Sequence, residues 1–123
     1  MNNIELFFPT PVGIFDIVPE RITEEVTKLS KLSYENIWDI QNDQLNELKQ
    51  MMDECAEKVV QYYSPSKNFS GITVDNGWIQ TLKQYEYHHA HVHARSILVG
   101  ICYLKAEEET GELMLYDPSA GSI

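Results

Sequence analysis

The chain has 123 residues and a mass of 14.2 kDa, which is room for one domain with an apolar core of its own. Apolar residues make up 43% and charged residues 23%, close to the averages of globular proteins, which excludes disorder as the dominant state. Nine Lys and Arg against nineteen Asp and Glu give a net charge of −10, which disfavours binding to nucleic acids or anionic membranes. We therefore expect a single domain over residues 1–123.

The sequence also indicates a compartment. No apolar run approaches the ~20 residues that span a bilayer, and the opening Met1-Asn2-Asn3-Ile4-Glu5 lacks the basic and apolar regions of a signal peptide. The two cysteines, Cys55 and Cys102, form neither a disulfide framework nor a CxxC pair. We expect them to be reduced, mostly buried thiols in a cytoplasmic protein.

The first half of the chain predicts an extended segment followed by a helix. Residues 4–18 are rich in β-branched and aromatic side chains, which is typical of extended structure. Pro19 then suits the first turn of a helix. The helix is predicted from apolar residues spaced three and four apart, namely Ile22, Val26, Leu29 and Leu32.

A second helix is predicted in the middle of the chain. Asn42 or Asp43 is a suitable N-cap, and the Ser-Pro-Ser-Lys-Asn run at residues 64–68 ends the helix. Between them one apolar face extends over about five turns, formed by Leu45, Leu48, Met52, Cys55, Val59 and Tyr62. The acidic residues of both helices fall mainly on the opposite faces, so the net charge is explained by solvated helical surfaces.

The second half of the chain predicts antiparallel strands. β-Branched and aromatic residues favour strands at 72–74, 78–87, 96–105 and 112–116. The third of these is almost continuously apolar, which predicts burial on both faces. Turns are predicted at Asp75-Asn76-Gly77 and at residues 107–111. Helices followed by strands indicate an α+β plan.

All four histidines of the chain fall within six residues, at His88, His89, His91 and His93. On a strand, residues two apart point to the same face with their Cα atoms ~6.5–7 Å apart. His91 and His93 are therefore expected to turn both imidazoles toward one ion, with Val92 pointing the other way. A regular strand would place His89, but not His88, on their face.

This crowding of histidines favours a metal site. Neutral imidazole is the commonest protein ligand for divalent transition metals, and a His-x-His pair supplies two ligands from one element. The alternative is a polar strand or loop whose histidines only form hydrogen bonds. Four histidines beside a long apolar run favour metal binding without naming the metal.

The histidines also belong to a longer pattern: Trp78-x-Gln80, Tyr87-His88-x-x-His91-x-His93, Ser96-x-Leu98-x-Gly100-x-x-Tyr103-Leu104 and Gly111-x-Leu113-x-x-Tyr116-Asp117-Pro118. This pattern resembles the prolyl-hydroxylase-like group of 2-oxoglutarate/Fe(II) oxygenases, in which Trp-x-Asn, Gly-x-Tyr-His, His-x-His-Pro, Ser-Gly-x-Tyr-Tyr and Gly-x-Leu-x-Phe-x-Asp-Pro-Arg follow one another. The opening Leu6-Phe7-Phe8-Pro9-Thr10-Pro11-Val12 is also similar to that group's Leu-Phe-Pro-Thr-Pro.

The resemblance implies a fold and a chemistry. The fold would be α+β, with two N-terminal helices packed on a double-stranded β-helix (jelly-roll or cupin-like) core that is incomplete at the C-terminus. The activity would be hydroxylation of an unknown substrate with Fe(II) as cofactor and 2-oxoglutarate as cosubstrate. By resemblance, His91 and His93 are metal ligands, Tyr87 and Tyr103 bind the cosubstrate, and His88 and Trp78 line the substrate pocket. Each tyrosine is equally well explained as a packed aromatic residue.

The chain departs from the group's pattern at several positions, namely Gln80, Tyr85, Ala94, Val99, Cys102 and Ser119, where Asn, Gly, Pro, Ser, Tyr and Arg are usual. No candidate is found for the group's distal histidine or for the basic residue that holds 2-oxoglutarate. We expect the front part of a longer oxygenase. The alternatives are a non-catalytic metal-binding or dimerising domain, whose exposed strand edge a second copy would cover, and an unrelated acidic α+β protein with incidental histidines.

Overall fold

The computed structural model describes residues 10–16, 18–31, 35–67 and 71–117. Three helical elements occur in chain order: helix α1 at Glu20–Leu29, one turn of 3₁₀ helix at Ile37–Asp39, and helix α2 at Asp43–Tyr63. Both helices predicted from the sequence are confirmed. Leu32 and residues 4–9, which also carried predictions, lie outside the described residues, and residues 10–16 have no regular secondary structure.

Helix α1 starts directly after Pro19, which is its N-cap residue and not part of its first turn as predicted. The carbonyl oxygen of Pro19 accepts hydrogen bonds from the backbone nitrogens of Ile22 at 3.0 Å and Thr23 at 3.2 Å. Ile22 and Val26 lie one turn apart and are almost completely buried. Glu20 is in the first turn and Lys28 in the last, where the helix dipole favours their charges.

Helix α2 begins at a side-chain cap. The Asn42 side-chain oxygen accepts a hydrogen bond of 3.0 Å from the backbone nitrogen of Leu45, which satisfies one of the free donors of the first turn. Leu45 and Leu48 are the buried residues of the helix. The C-cap of the helix is Ser64, whose backbone nitrogen donates a hydrogen bond to the carbonyl oxygen of Val60.

The buried core lies where the two helices and the 3₁₀ turn meet. It consists of five residues, Ile22, Val26, Ile37, Leu45 and Leu48. Half-buried apolar residues pack around it, and three of these come from the second half of the chain: Ile79, Cys102 and Leu104. On the surface, Arg21 of α1 donates a hydrogen bond to Glu47 of α2.

Three polar side chains, Asn36, Lys49 and Asp53, attach the second half of the chain to the helical elements, and Lys49 does so through the Thr73 hydroxyl. The Asn36 side chain donates to the Asp75 carbonyl at 2.8 Å and accepts from the Gly77 nitrogen at 3.2 Å. The Asp53 carboxylate accepts from the Val74 nitrogen at 2.6 Å. The turn predicted at residues 75–77 is therefore wrong, because this segment runs along the 3₁₀ turn and bonds to it.

The prediction of strands in the second half is wrong for the residues that the structure describes. Between 71 and 117 there is no strand, and the backbone-to-backbone hydrogen bonds within this segment close only three tight turns. The double-stranded β-helix (jelly-roll or cupin-like) core, and with it the α+β class, is therefore contradicted. The residues have the composition of strands, but composition alone does not provide a second strand with which their backbone groups could form the hydrogen bonds of a sheet.

The apolar run at 97–104 shows how the prediction failed. Leu98, Cys102 and Leu104 are half-buried, whereas Ile97 and Val99 are 94% and 59% exposed. The run is thus covered on one side, not on two as predicted. The turn predicted after it is confirmed, since the Thr110 nitrogen binds the Glu107 carbonyl at 2.9 Å.

Candidate metal centre

The histidines lie on an extended segment, residues 86–93, that is closed at each end by a tight turn. The Glu86 nitrogen donates to the Lys83 carbonyl at 3.0 Å, and the Ser96 nitrogen donates to the His93 carbonyl at 3.3 Å. We call residues 86–93 the histidine segment. Its ends are held by these bonds, although no strand partner supports its middle in the part of the chain that the structure describes.

Both turns contain a non-glycine residue in the left-handed backbone region. Tyr85 has a φ of 68° and Arg95 a φ of 65°, and each is the third residue of its turn. In a turn with positive φ only at the third residue, glycine is preferred there because a Cβ is strained. Tyr85 is also one of the positions at which the chain departs from the resembled pattern, where glycine is usual.

The rings of His91 and His93 are in contact, although the strand from which their shared face was predicted is not present in the described residues. Their centroids are 5.0 Å apart with an angle of 70° between the planes. His91 is exposed, His93 is half-buried, and Val92 between them is 91% exposed. Two imidazoles that share one ion at nitrogen–metal distances of about 2.0–2.1 Å have centroids roughly 5 Å apart. The observed spacing is therefore suited to one shared ion.

A backbone contact sets the orientation of His91. Its Nδ1 lies 2.7 Å from the carbonyl oxygen of His89. A carbonyl oxygen only accepts hydrogen bonds, so the contact is a hydrogen bond when Nδ1 carries the ring proton, and in that neutral tautomer Nε2 keeps a free lone pair. A ligating histidine commonly has its second nitrogen bonded to a carbonyl in this way, which fixes the tautomer and the ring direction.

His93 is positioned by Trp78. The two ring centroids are 5.4 Å apart and the planes are inclined by 40°. Trp78 follows Gly77, which is bonded to Asn36 and to the Ile37 nitrogen, so the indole is anchored to the helical half. Trp78, predicted to line a substrate pocket, is thus beside a candidate ligand while remaining 52% exposed.

The remaining two histidines are placed opposite to the strand-based prediction. His88 faces His91, with ring centroids 6.2 Å apart. His89 instead contacts Tyr87 edge to face at 4.9 Å. The alternation of sides expected for a strand does not hold, because no neighbouring strand enforces it. His88 was predicted as a pocket residue, and its nearness to His91 could not be found from spacing on a regular strand.

The two tyrosines predicted to bind a cosubstrate are not brought together. Tyr87 touches His89, and no ring contact within the described ranges joins Tyr103 to a histidine. Both are mainly exposed. A shallow cavity of about 680 Å³ lies elsewhere, between α1 and residues 104–105, and no histidine lines it.

Whether a metal ion fits depends on which His, Cys, Asp and Glu side chains lie close together. Among residues 10–16, 18–31, 35–67 and 71–117, no group of three or more His, Cys, Asp or Glu side chains is arranged to hold an ion. Cys55 and Cys102 are free thiols, and burial raises the pKa of both, which keeps them protonated and disfavours them as ligands. Within the described residues the candidate centre is therefore limited to the imidazole pair of His91 and His93.

Comparison of the chain with protein-family models, curated proteins and solved structures gave no match. Neither of the two described helices is long and apolar enough to cross a membrane.

Proposed function

We propose that the chain binds a divalent transition metal through His91 and His93 and acts as a cytoplasmic Fe(II)/2-oxoglutarate-dependent dioxygenase. The observation that carries the proposal is the imidazole pair, with centroids 5.0 Å apart and the His91 Nδ1 occupied by a carbonyl. In the neutral ring this leaves the Nε2 lone pair of His91 free beside the ring of His93. The motif pattern supports the choice of Fe(II) and 2-oxoglutarate.

When bound, Fe(II) with 2-oxoglutarate would supply the oxidising chemistry. The residues of the chain itself would hold the metal ion and orient what binds to it. His91 donates through Nε2 in the tautomer whose Nδ1 is protonated, and His93 is kept in place by the indole of Trp78. Tyr87 is exposed, lies within the histidine segment and is, of the two predicted cosubstrate contacts, the one whose ring touches a histidine. Tyr103 is retained only on the resemblance.

A second candidate is a metal-binding or dimerising domain without catalysis. It is favoured by the lack of a third ligand in a ready-made arrangement within the described residues. It is also favoured by the apolar side chains that residues 97–103 expose, which a second copy would cover. Both candidates require the same imidazole pair and differ in whether 2-oxoglutarate binds at the ion.

Calorimetric titration with Fe(II) under anaerobic conditions tests the shared part. The wild-type chain should bind one ion, and His91→Ala and His93→Ala should each abolish tight binding, since removing either donor leaves a single imidazole. Unchanged affinity in both variants would refute the site. Both side chains are exposed or half-buried, so circular dichroism of the variants should match that of the wild type.

Addition of 2-oxoglutarate to the Fe(II)-loaded chain separates the two candidates. Bidentate binding at the ion gives a visible charge-transfer band, which the dioxygenase proposal requires. A chain that binds Fe(II) through the pair but shows no band is the non-catalytic candidate. The control is succinate, which lacks the keto oxygen and should give no band.

A further inference from the structure

We infer that residues 97–104 form an edge at which a second copy of this chain binds, with the two backbones paired antiparallel about Gly100. We call residues 97–104 the edge segment. The inference rests on the dimerising part of the second candidate function, to which it adds an interface and a register, and it involves none of the four histidines. The chemistry recognised is an unpaired backbone with apolar side chains along one side.

The backbone of the edge segment is available for pairing. Within the described part of the chain, none of its N–H or C=O groups is hydrogen-bonded. Gly100 is exposed, and because glycine has no side chain, the exposed surface there is backbone. The tight turns at residues 93–96 and 107–110 bound the segment on either side. A strand added at this edge would give the backbone groups the partners that they lack.

The side chains of the edge segment alternate between two sides, which is the period of a strand. Leu98, Cys102 and Leu104 are half-buried, and a Cβ at Gly100 would lie 3.6 Å from the methyl carbon of Met52 in α2. The even-numbered positions therefore face the helices. The odd-numbered positions point away from them, with exposed fractions of 94%, 59%, 58% and 56% for Ile97, Val99, Ile101 and Tyr103.

One register of a two-fold antiparallel pair brings all four outward side chains together. If Gly100 of one copy lies opposite Gly100 of the other, Ile97 faces Tyr103 and Val99 faces Ile101, each pair twice. Side chains directly opposite each other in an antiparallel pair lie close together, and pairs of aromatic and β-branched residues stabilise it. Both copies use the same surface patch, as a two-fold dimer requires. The sequence around Gly100 is therefore complementary to itself.

The distribution of charge favours a second copy at this place. Two chains that each carry a net charge of −10 repel each other, but no charged residue lies between Arg95 and Lys105. In the antiparallel pair, Arg95 of one copy comes beside Lys105 of the other. Lys105 is bound to Glu107 at 3.2 Å, and Glu108 and Glu109 follow directly, so these carboxylates offset the two cations. The edge segment is thus a surface on which two acidic chains can meet.

The test is sedimentation equilibrium of the full chain over a concentration series at low and high salt. The wild type should form a reversible dimer, and added salt should strengthen it because salt screens the repulsion between two acidic chains. Below the dissociation constant the chain is a monomer, in which Ile97 remains exposed.

Two double variants test the register. Val99→Lys/Ile101→Lys places lysine opposite lysine in both cross-strand pairs, whereas Val99→Lys/Ile101→Glu places lysine opposite glutamate. Opposite charges stabilise such a pair and like charges destabilise it. The dissociation constant of the first variant should therefore exceed that of the second by more than about tenfold.

The chain contains a matched control, because Val12-Gly13-Ile14 repeats the Val-Gly-Ile order of residues 99–101. Val12 and Ile14 are 58% and 89% exposed. Val12→Lys/Ile14→Lys should therefore dimerise like the wild type. All the substituted side chains are exposed, so circular dichroism of the variants should match that of the wild type.

A wild-type chain that stays monomeric at every concentration and salt overturns the inference, and this measurement needs no variant. Equal dissociation constants for the two double variants at residues 99 and 101 overturn it as well, and so does loss of the dimer in the control. Titration with Fe(II) separates this inference from the proposed function. A monomer that binds Fe(II) retains the metal centre without the interface, whereas a dimer that binds no Fe(II) retains the interface without the metal centre.

Discussion

The backbone is hydrogen-bonded differently in the helical half of the molecule, residues 20–63, and in the second half, residues 71–117. In α1 and α2 each helix pairs its own backbone groups, and the five buried core residues all come from the helices and the 3₁₀ turn. Among themselves, residues 71–117 pair backbone with backbone only at three tight turns, with one further backbone bond from the Ile37 nitrogen to the Gly77 carbonyl, and most of their large apolar side chains are exposed. The backbone groups of a helix therefore find their hydrogen-bond partners within the helix, whereas those of a segment without regular structure need partners outside it.

The two halves nevertheless meet through specific polar contacts. Asn36 and Asp53 bind backbone groups of residues 74–77, and the Gly77 backbone passes close to the Trp38 indole. These contacts hold the chain just before Trp78, which in turn touches His93. The helical half thus sets the position of one side of the candidate metal centre.

The two halves are expected to differ most in the free energy of unfolding that is lost when an isoleucine is replaced by alanine. Ile22 is fully buried in α1 and Ile97 is 94% exposed. Ile22→Ala should lower the free energy of unfolding by about 2–5 kcal/mol, whereas Ile97→Ala should change it by less than about 0.5 kcal/mol. Denaturant unfolding followed by circular dichroism measures both. Equal losses would show that residue 97 is buried in solution. If Ile22→Ala does not fold, Ile22→Val, with an expected loss of about 0.5–1.5 kcal/mol, replaces it.

A smaller loss of stability is expected when the hydrogen bonds of Asp53 between α2 and residues 71–117 are removed. Asp53→Ala removes the acceptor of the Val74 nitrogen and the carboxylate partner of the Lys49 ammonium, which keeps its hydrogen bond to the Thr73 hydroxyl. The free energy of unfolding should fall by about 1–3 kcal/mol, and amide exchange at Val74 should accelerate. The neighbouring Glu54→Ala, at an exposed position of the same helix, is the control and should have little effect. Slow exchange at Val74 in Asp53→Ala would contradict the role given to the carboxylate.

Gly77→Ala tests the close approach of the backbone to Trp38. A Cβ at residue 77 would lie 2.7 Å from the indole nitrogen, so the ring must move. We expect a loss toward the lower end of the ~1–3 kcal/mol that overpacking causes, with a changed tryptophan near-ultraviolet signal. Gly111→Ala, where a Cβ meets nothing within 4 Å, is the matched control. It should be neutral or slightly stabilising, and identical behaviour of the two variants would refute the contact.

The smallest effect concerns the ion pair between the two helices. The hydrogen bond from Arg21 holds the pKa of Glu47 below its ordinary value of 4.5. A lowered carboxyl pKa stabilises the folded chain above that value, and the contribution is lost as the pH falls through the folded pKa. Glu47→Gln should therefore melt slightly lower than the wild type at neutral pH, and the difference should disappear in acid. A difference that persists in acid would show that the charge is not its cause.

The same contrast explains what could be predicted from the sequence. The spacing of Ile22 and Val26 and the Asn42 cap were sufficient for the helices, because a helix depends on near neighbours in the chain. The strands were predicted wrongly because β-branched composition does not specify a pairing partner. The His91 and His93 rings are in contact without the strand from which their shared face was predicted, and the contact of His88 with His91 runs against the alternation of sides that a strand would impose.

The central claim is that an ion binds between His91 and His93, and the fluorescence of Trp78 tests it most directly. Trp38→Phe leaves Trp78, whose ring lies 5.4 Å from that of His93, as the single tryptophan. Paramagnetic Co(II) should quench its emission with saturation at one equivalent, EDTA should restore it, and His91→Ala in the same background should remove the effect. Full emission at one equivalent of Co(II) with His91 and His93 intact would contradict the claim.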